Sequence, residues 1–446
     1  MTKRKFSRYI LCIACFWILV TLFLPSHAQS QTITEYYVYP NSAPWDIVAG
    51  PDKNLWFAEA FANRIGRIKP SGAITEFSAG ITPDSGPVGI TSGPDGNLWF
   101  TEGSGSRIGK ITTSGVVTEF SAGITPGSNP AGITSGPDGN LWFTEVAGQK
   151  IGKITTSGIV TEFSAGITPD SGPSGITTGS DGNLWFTEGT GNRIGRITPS
   201  GVVTEFSTGI TLNSTPVGIT AGPDGNLWFT ENTGNRIGRI TPSGVVTEFS
   251  TGISPDSGPA GIVTGPDGNL WFTESTGNRI GRITPSGVIT EFSTGIKLNS
   301  RPMKIANGAD GNLWFTEALG DRIGQVSDIT TSCTATLDGN YILHIPYVSY
   351  TDSVSGTMSL WVDLVYKYNP AYPTLLPFKL TTFSLRNNPS SSCTASALSG
   401  TLSIHIPDLL LPDGASHLAV DLDYNSALST GGNAYFVVTK YGAVSN

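Results

Sequence analysis

Five residues, Leu98-Trp99-Phe100-Thr101-Glu102, form a pentapeptide that recurs through most of this 446-residue chain. It occurs six times, and a near copy, Leu-Trp-Phe-Ala-Glu, ends at Glu59. The seven tryptophans lie 43 residues apart, at Trp56, Trp99, Trp142, Trp185, Trp228, Trp271 and Trp314. A period of about 40–45 residues, built from short strands and Gly-rich turns, is typical of propeller blades. The sequence therefore predicts seven blades.

One unit shows why each blade should contain four strands. Val88-Gly89-Ile90-Thr91 is a short apolar run, and the pentapeptide that follows it is rich in β-forming aromatic residues. Arg107–Ile111 and Val116–Phe120 predict two further strands. The residues between these runs are Gly, Pro, Asp, Asn and Ser, which favour turns. No stripe of apolar residues at helical spacing interrupts the pattern. We name the four strands A to D.

The number of D strands predicts how the ring closes. Seven A–C sets are present, but only six D strands follow them, ending near Phe292. The missing copy lies upstream, where Ile33-Thr34-Glu35-Tyr36-Tyr37 repeats the Ile-Thr-Glu-Phe pattern. We therefore expect the N-terminal strand to complete the last blade, which removes the free sheet edges of an open array. The prediction is an all-β, seven-bladed propeller over residues 32–328.

The first 28 residues have the pattern of a signal peptide. Basic residues precede an apolar stretch from Tyr9 to Leu24, and Ser26-His27-Ala28 supplies the small residues of a cleavage site. The apolar stretch is shorter than the roughly 20 residues of a membrane span. We therefore predict a secreted or periplasmic protein without a membrane span after cleavage.

The 43-residue pattern stops after residue 328, and residues 333–446 contain a duplication of their own. Cys333-Thr334-Ala335 and Cys393-Thr394-Ala395 begin the two halves. Alternating apolar and polar residues predict a β-sandwich. In an oxidising compartment the isolated pair Cys333 and Cys393 predicts a disulfide. His344 and His405 are related by the same repeat, either as ordinary strand residues or as ligands of a shared group.

Net charge disfavours one class of partner. The formal charge is −8 and only 13% of the residues are charged. Binding of nucleic acid needs a basic face, so no nucleic-acid partner is expected. We expect a monomer that takes a small molecule or a protein on its top face, which the B–C and D–A loops form.

The last residues of the seven pentapeptides, here called the ladder glutamates, are candidate metal ligands or general bases. They are Glu59, Glu102, Glu145, Glu188, Glu231, Glu274 and Glu317. A cation follows each of them five residues later, at Arg64, Arg107, Lys150, Arg193, Arg236, Arg279 and Arg322. The alternative is therefore a ring of structural Glu–Arg pairs across the B–C hairpins. The Asp-Gly-Asn turns resemble fragments of calcium loops, but turn chemistry accounts for them.

The opening of strand A differs in two blades. Five blades have a small residue and glycine after the proline, whereas blade one has Trp45-Asp46 and blade seven has Met303-Lys304, preceded by Arg301. These blades are neighbours at the closure, so the five side chains predict a contact site for a ligand or peptide on the top rim. Alternatively, terminal repeats are atypical because they form the seam.

The repeated motifs Pro-x-Gly-Ile, Gly-Pro-Asp-Gly-Asn-Leu-Trp-Phe-Thr-Glu and Asn-Arg-Ile-Gly-Arg-Ile resemble the virginiamycin B lyase (streptogramin lyase) family of seven-bladed propellers. The resemblance covers about residues 32–328. It implies ring opening of cyclic depsipeptide antibiotics by β-elimination, with Mg²⁺ as a possible cofactor. It also implies a histidine base between the proline and glycine of a strand A, a glutamate two residues earlier and a ladder glutamate.

This sequence departs from that pattern at the histidine. The corresponding residues are Trp45, Val88, Ala131, Ser174, Val217, Ala260 and Met303. The earlier glutamate is replaced by Ala43, Gly86, Asn129, Gly172, Thr215, Gly258 or Arg301. The first hypothesis is therefore a binding or scaffold module. The alternatives are a divergent Mg²⁺-dependent lyase that uses the ladder glutamates, or a related propeller hydrolase acting on lactones.

Overall fold

The computed structural model describes residues 31–327 and, beyond them, the backbone of eight strands. The predicted signal peptide, Cys333 and Cys393 lie outside the described residues. All the elements of the described part are strands, and it contains no helix long and apolar enough to cross a membrane. The chain separates into two compact units, which are described one at a time.

The first unit begins with β1 (Thr32–Tyr37), and blades one to six follow with four strands each. Blade one contains β2 (Pro44–Ala49), β3 (Leu55–Glu59), β4 (Arg64–Ile68) and β5 (Ile74–Phe77). Blade two contains β6 (Pro87–Ser92), β7 (Leu98–Glu102), β8 (Arg107–Ile111) and β9 (Val117–Phe120). Blade three contains β10 (Pro130–Ser135), β11 (Leu141–Glu145), β12 (Lys150–Ile154) and β13 (Val160–Phe163). Blade four contains β14 (Pro173–Thr178), β15 (Leu184–Glu188), β16 (Arg193–Ile197) and β17 (Val203–Phe206).

Blade five contains β18 (Pro216–Ala221), β19 (Leu227–Glu231), β20 (Arg236–Ile240) and β21 (Val246–Phe249). Blade six contains β22 (Pro259–Thr264), β23 (Leu270–Glu274), β24 (Arg279–Ile283) and β25 (Ile289–Phe292). Blade seven contains β26 (Pro302–Asn307), β27 (Leu313–Glu317) and β28 (Arg322–Ser327). Its fourth strand is β1, which pairs antiparallel with β28 from Thr32↔Ser327 to Tyr37↔Arg322. The predicted seven-bladed propeller and its closure by the N-terminal strand are confirmed.

The core consists of separate hydrophobic clusters at the interfaces between neighbouring blades. In one of them, Trp56 of blade one packs against Leu98 and Phe100 of blade two. The seven tryptophans of the repeated pentapeptides, here called the ladder tryptophans, are all 0% exposed. Each indole stacks on the ring that ends strand D of its own blade, with centroids 5.4–5.6 Å apart. Because large aromatic side chains bury the most apolar area, these tryptophans supply much of the free energy that holds the blades together.

The Asp of each A–B turn holds the indole in place. In blade two, the Asp95 carboxylate accepts hydrogen bonds from Trp99 Nε1 at 3.0 Å and from Asn97. The same Trp–Asp bond occurs in all seven blades at 2.9–3.2 Å. Burial raises the pKa of Asp95, but the hydrogen bonds from Trp99 and Asn97 outweigh it and leave this pKa below its usual value. The aspartate therefore recurs in the A–B turn of every blade because it bonds to the tryptophan of that blade.

Two repeated glycines allow close approach, one in strand C of every blade and one in strand A of blades two to six. A Cβ on Gly109 in strand C would lie 2.1 Å from the Phe100 ring. A Cβ on Gly89 in strand A would lie 2.2 Å from the carbonyl oxygen of Ala131 in the next blade. The glycine in strand A thus lets neighbouring A strands approach each other around the channel. Blades one and seven have Asp46 and Lys304 there instead.

The closure depends on one carboxylate in the B–C loop of blade seven. Asp321 accepts hydrogen bonds from the backbone N–H groups of Asn41, Ser42 and Ala43 at 2.8, 3.0 and 3.2 Å. In blade five the equivalent residue, Asn235, accepts from Ser257 and Gly258 of the following loop. At the seam the two partners are about 280 residues apart in sequence, so Asp321 connects the two ends of the propeller.

We expect Asp321→Ala to lower the free energy of unfolding of the propeller by about 2 kcal/mol, because it leaves three N–H groups without their charged acceptor. Guanidinium chloride denaturation measures this change. Asn235→Ala is the matched control, since both residues have positive φ, 49° and 55°, so alanine adds the same backbone strain. Equal losses in the two variants would contradict a special role for Asp321 in the closure.

The second unit contains eight strands of one sheet. They are β29 (Thr334–Leu337), β30 (Ile342–Asp352), β31 (Gly356–Tyr366), β32 (Pro377–Arg386), β33 (Ala395–Ala397), β34 (Ser403–Leu410), β35 (His417–Tyr424) and β36 (Tyr435–Ala443). The first strand of each half pairs parallel with the second strand of the other half, β29 with β34 and β33 with β30. His344 pairs with Asp363 and His405 pairs with Asp421 in equivalent positions. The strand pairing thus follows the sequence duplication, while the two-layer sandwich, the disulfide and a histidine ligand site stay predictions.

Candidate functional site

The ladder glutamates end their B strands inside the blades. All seven are 0% exposed. Each stands opposite its predicted cation in the hairpin, for example Glu102 opposite Arg107. The cation, however, pairs in every blade with a glutamate on strand D, such as Arg107 with Glu119 at 4.0 Å. Within residues 31–327, only Arg279 and Arg322 also come within 4.0 Å of a ladder glutamate. The prediction of seven Glu–Arg pairs across the hairpins is therefore wrong.

The reason lies in the surroundings of the two carboxyl groups in each blade. Glu119 on strand D accepts hydrogen bonds from the backbone N–H and hydroxyl of Thr82, which stabilise its charge. The ladder carboxyl oxygens have no donor among the described groups. Since burial and a neighbouring negative charge both disfavour a carboxylate, the ladder carboxyl group is stabilised in its protonated form beside the carboxylate on strand D.

The pKa values follow this division. Burial, and then the neighbouring carboxylate on strand D, raise the pKa of Glu145 to about 7 and that of each other ladder glutamate to about 8. Burial also raises the pKa of Glu119, but the Thr82 hydrogen bonds outweigh it and hold this pKa below its usual value. Burial beside a second carboxylate thus favours the neutral form of each ladder glutamate.

The Mg²⁺ that the family resemblance implies does not fit these residues. Each blade contributes one ladder carboxyl group, which is enclosed within that blade and has a raised pKa. In the part of the chain that the structure describes, no three His, Cys, Asp or Glu side chains lie together so that they could hold a metal ion. Metal binding at the ladder glutamates therefore stays an untested prediction, and the function proposed below does not use it.

The carboxyl pairs predict a dependence of stability on pH. The pKa of Glu188 in the folded protein, about 8, lies above the unfolded value of about 4.3. Its contribution is therefore fully present below about pH 4 and is lost as the pH rises through 8. Glu188→Gln keeps a neutral donor, so we expect its free energy of unfolding to fall less between pH 5 and pH 9 than that of the wild type, by at least about 1 kcal/mol.

The matched control for Glu188→Gln is Glu205→Gln on strand D of the same blade. Glu205 accepts from Thr168 and pairs with Arg193 at 3.9 Å. Loss of its charge should destabilise the protein throughout this pH range. Parallel pH profiles for the wild type and Glu188→Gln would show that Glu188 has no raised pKa.

A threonine hydroxyl joins strand A of each blade to strand A of the next, in blades two to seven. Thr101, for example, accepts from the Gly89 N–H at 2.8 Å and donates to the Ala131 carbonyl at 2.6 Å. Five of these bridges to the next blade measure 2.6–2.7 Å. The sixth, from Thr316 to the Trp45 carbonyl across the seam, is longer at 3.0 Å.

Blade one lacks this hydroxyl, because Ala58 replaces threonine in its pentapeptide. Asp46 makes a different bridge there: its carboxylate accepts from the Ile47 N–H at 2.8 Å and from the Ile90 N–H of blade two at 3.1 Å. Burial raises the pKa of Asp46, while the charge of Lys304 opposes this effect. Sequence reasoning missed this structural role, although the coincidence of Ala58 and Asp46 in one blade was visible.

We expect Asp46→Gly to lower the free energy of unfolding by about 1–2 kcal/mol, because it removes this bridge between blades one and two. The double variant Asp46→Gly/Ala58→Thr should recover most of the loss, since it has the hydroxyl bridge of the other six blades. Denaturation of the two variants and of Ala58→Thr alone provides a double-mutant cycle. Additive effects would contradict the exchange of one bridge for the other.

The other four predicted rim residues come together at the seam. The Arg301 guanidinium lies over the Trp45 ring, 5.8 Å from its centroid. The Thr316 hydroxyl accepts from the Lys304 N–H at 3.1 Å and donates to the Trp45 carbonyl, so strands A of blades seven and one meet at these residues. Arg301 is exposed, and Trp45, Met303 and Lys304 are partly exposed. Asp46, by contrast, is engaged with blade two.

Two further residues lie in loops beside these four, and the sequence analysis did not predict them. Phe61 and Leu319, in the B–C loops of blades one and seven, are 78% and 64% exposed. Phe61 N–H donates to the Ser42 carbonyl at 3.0 Å, next to the opening of strand A. The residue before Leu319, Ala318, donates to the Arg301 carbonyl, also at 3.0 Å. The five other blades have small residues here: Ser104, Ala147, Thr190, Thr233 and Thr276.

We call Trp45, Phe61, Arg301, Met303, Lys304 and Leu319 the seam rim. A comparison of the B–C loops across the repeats could have found its two missed members. The fold and this rim define a closed seven-bladed β-propeller with near-identical blades and one divergent place on its top face.

The chain belongs to the virginiamycin B lyase family, and the sequence model of that family matches residues 25–209 and 122–338. A streptogramin B lyase structure is 39% identical, with a TM-score of 0.64 over 68% of this chain and 99% of that one. The selenomethionine-substituted virginiamycin B lyase of Staphylococcus aureus is 42% identical, with a TM-score of 0.62 over 67% of this chain and 100% of that one.

A third structure is a catalytically inactive histidine-to-alanine variant of the Staphylococcus aureus virginiamycin B lyase with quinupristin. It is 40% identical, with a TM-score of 0.62 over 67% of this chain and all of that one. No curated protein matches the chain significantly.

Proposed function

We propose that this protein is an exported binding module that takes a ligand or a peptide at the seam rim and does not open streptogramin rings. The observation that carries the proposal is the absence of histidine from residues 32–328. The four histidines of the chain are His27, His344, His405 and His417, which lie outside the propeller sequence.

The solved relatives give this absence its meaning. In the Staphylococcus aureus enzyme, replacement of one histidine by alanine produces a catalytically inactive protein that was crystallised with quinupristin. Loss of catalysis is thus compatible with a bound ligand in that relative. The same separation of binding from chemistry is what we propose for this chain.

Neither the residues at the histidine position nor the ladder glutamates offer an accessible base. The strand A residues at the position that the family resemblance assigns to histidine are Trp45, Val88, Ala131, Ser174, Val217, Ala260 and Met303, none of which accepts a proton readily near pH 7. The ladder glutamates have pKa values of a suitable size for a base. They are, however, completely buried, and a general base must come within hydrogen-bond distance of the proton that it removes.

The seam rim supports the binding part of the proposal. It combines exposed apolar side chains with exposed or partly exposed cations at one point of the top face, where the other blades have small or polar residues. Ligand sites are typically apolar surfaces with a few polar groups that orient the ligand. Contacts between blades explain Asp46, and closure of the ring explains Asp321, but no described contact needs Phe61 or Leu319 to be exposed.

The test is incubation of the mature protein with a streptogramin B and Mg²⁺, followed by chromatography with mass detection. We expect unmodified antibiotic, beside a virginiamycin B lyase that converts it. A new peak of unchanged mass would reveal elimination, and a peak heavier by one water would reveal hydrolysis. Either product would overturn the non-catalytic proposal.

Binding is measured in parallel by saturation-transfer NMR with the same antibiotic as the first probe. Trp45→Ala should weaken binding about tenfold or more, because a buried aromatic contact contributes at least about 1.4 kcal/mol. Val217→Ala, at the equivalent place in blade five, is the control and should have no effect. Binding that Trp45→Ala leaves unchanged would place the ligand away from the seam rim.

A further inference from the structure

Cations on the C strands of the propeller already have partners. The first cation of each strand C pairs with the glutamate on strand D of its blade. In six blades the second cation lies over the ring of the ladder tryptophan, as Arg239 lies over Trp228 at 5.5 Å. These positive charges are therefore neutralised or engaged within the blade.

Arg301 and Lys304 lie at the opening of strand A in blade seven, and Arg301, like the second cations of the C strands, lies over a tryptophan ring. Among residues 31–327, neither has a carboxylate oxygen within the 4.0 Å of an ion pair. Asp46 is the acidic side chain that the charge of Lys304 influences, but both Asp46 oxygens accept backbone N–H groups. The equivalents of Arg301 and Lys304 in blades two to six are uncharged. Two positive charges without an ion pair among the described residues thus occur at the opening of one strand A, in a chain whose net charge is −8.

The backbone at Arg301 lies in the left-handed region, with a φ of +56°. Three other blades have glycine at this position, Gly86, Gly172 and Gly258, and the remaining three have Ala43, Asn129 and Thr215, also at positive φ. This loop conformation therefore occurs in all seven blades, and blade seven alone among them places a charged side chain there.

Apolar surface surrounds the two cations. The guanidinium of Arg301 lies over Trp45, and the exposed Phe61 and Leu319 extend from the adjoining loops. Backbone hydrogen bonds join these loops to Ser42, Ser300 and Arg301, so both apolar side chains start beside the strand A openings that carry the cations. Charge complementarity and apolar contact would then act on the same ligand.

We infer that the ligand of the seam rim is a carboxylate attached to an aromatic or branched aliphatic group. Arg301 and Lys304 hold the carboxylate, and Trp45, Phe61 and Leu319 contact the apolar group. This inference rests on the proposed binding function and names its ligand class. It requires no metal and no covalent step.

The experiment compares two probes that differ only in charge, N-acetyl-L-phenylalanine and its neutral amide. Titration calorimetry or saturation-transfer NMR at low salt gives the two dissociation constants. We expect the carboxylate to bind about tenfold more tightly than the amide, since it adds charge-assisted hydrogen bonds. Added salt should weaken binding of the carboxylate and leave the amide unchanged.

The test variant is Arg301→Gly/Lys304→Gly, which introduces the residues of blade two and therefore suits the backbone. In this variant the tenfold preference should be lost, so that the carboxylate and the amide bind about equally. The matched control is Lys53→Gly, because Lys53 also replaces a repeated glycine at positive φ, +64°, and is exposed at the opposite end of blade one. This control removes one positive charge and should keep the full preference.

Three outcomes would overturn the inference. Equal affinity for acid and amide, with both lost in Trp45→Ala, would remove the preference for an anion and leave the seam rim as a binding site. A preference that survives in the double glycine variant would place the anion elsewhere. Binding of neither probe would exclude this ligand class, while the streptogramin measurement decides the proposed function separately.

Discussion

The packing of each ladder tryptophan against the next blade is the interaction on which the rest of the structure depends. A single four-stranded blade cannot bury both of its faces, so it is stable only between neighbours. The indole fills the space between blades, stacks on the aromatic ring of strand D and donates its N–H to the turn aspartate. Because the same contact recurs at every interface, neighbouring blades pack in the same way around the ring, and the chain closes when the N-terminal strand completes the seventh sheet.

A ring of near-identical blades leaves function to the places where the blades differ. Most differences lie at the seam, and they have two origins. Asp321 serves the closure and Asp46 serves the contact between blades one and two, because their carboxylates replace contacts that other blades make through asparagine and threonine. Trp45, Phe61, Arg301, Lys304 and Leu319 have no such role. They add exposed apolar surface and unpaired charge, which a seam does not need.

The paired carboxyl groups show how a repeated structural feature can imitate a site. Seven glutamates at one register look like an acidic ring in the sequence. In the fold each is enclosed in its own blade, and burial beside a second glutamate raises its pKa. The cation that seemed assigned to it pairs instead with the strand D carboxylate, where hydrogen bonds from the loop that opens the same blade and partial hydration stabilise the negative charge.

The sequence by itself determined the number of blades, the four strands of each and the strand that closes the ring, because these follow from local turn chemistry and a strict period. It also indicated the seam, since Trp45, Arg301, Met303 and Lys304 break that period. Only the tertiary structure decided which carboxylate each cation pairs with, that Asp46 substitutes for a missing threonine hydroxyl, and that Phe61 and Leu319 join the rim. These contacts connect residues from different strands, loops and blades, and the side chain that wins each partner depends on burial and distance, which a linear pattern does not contain.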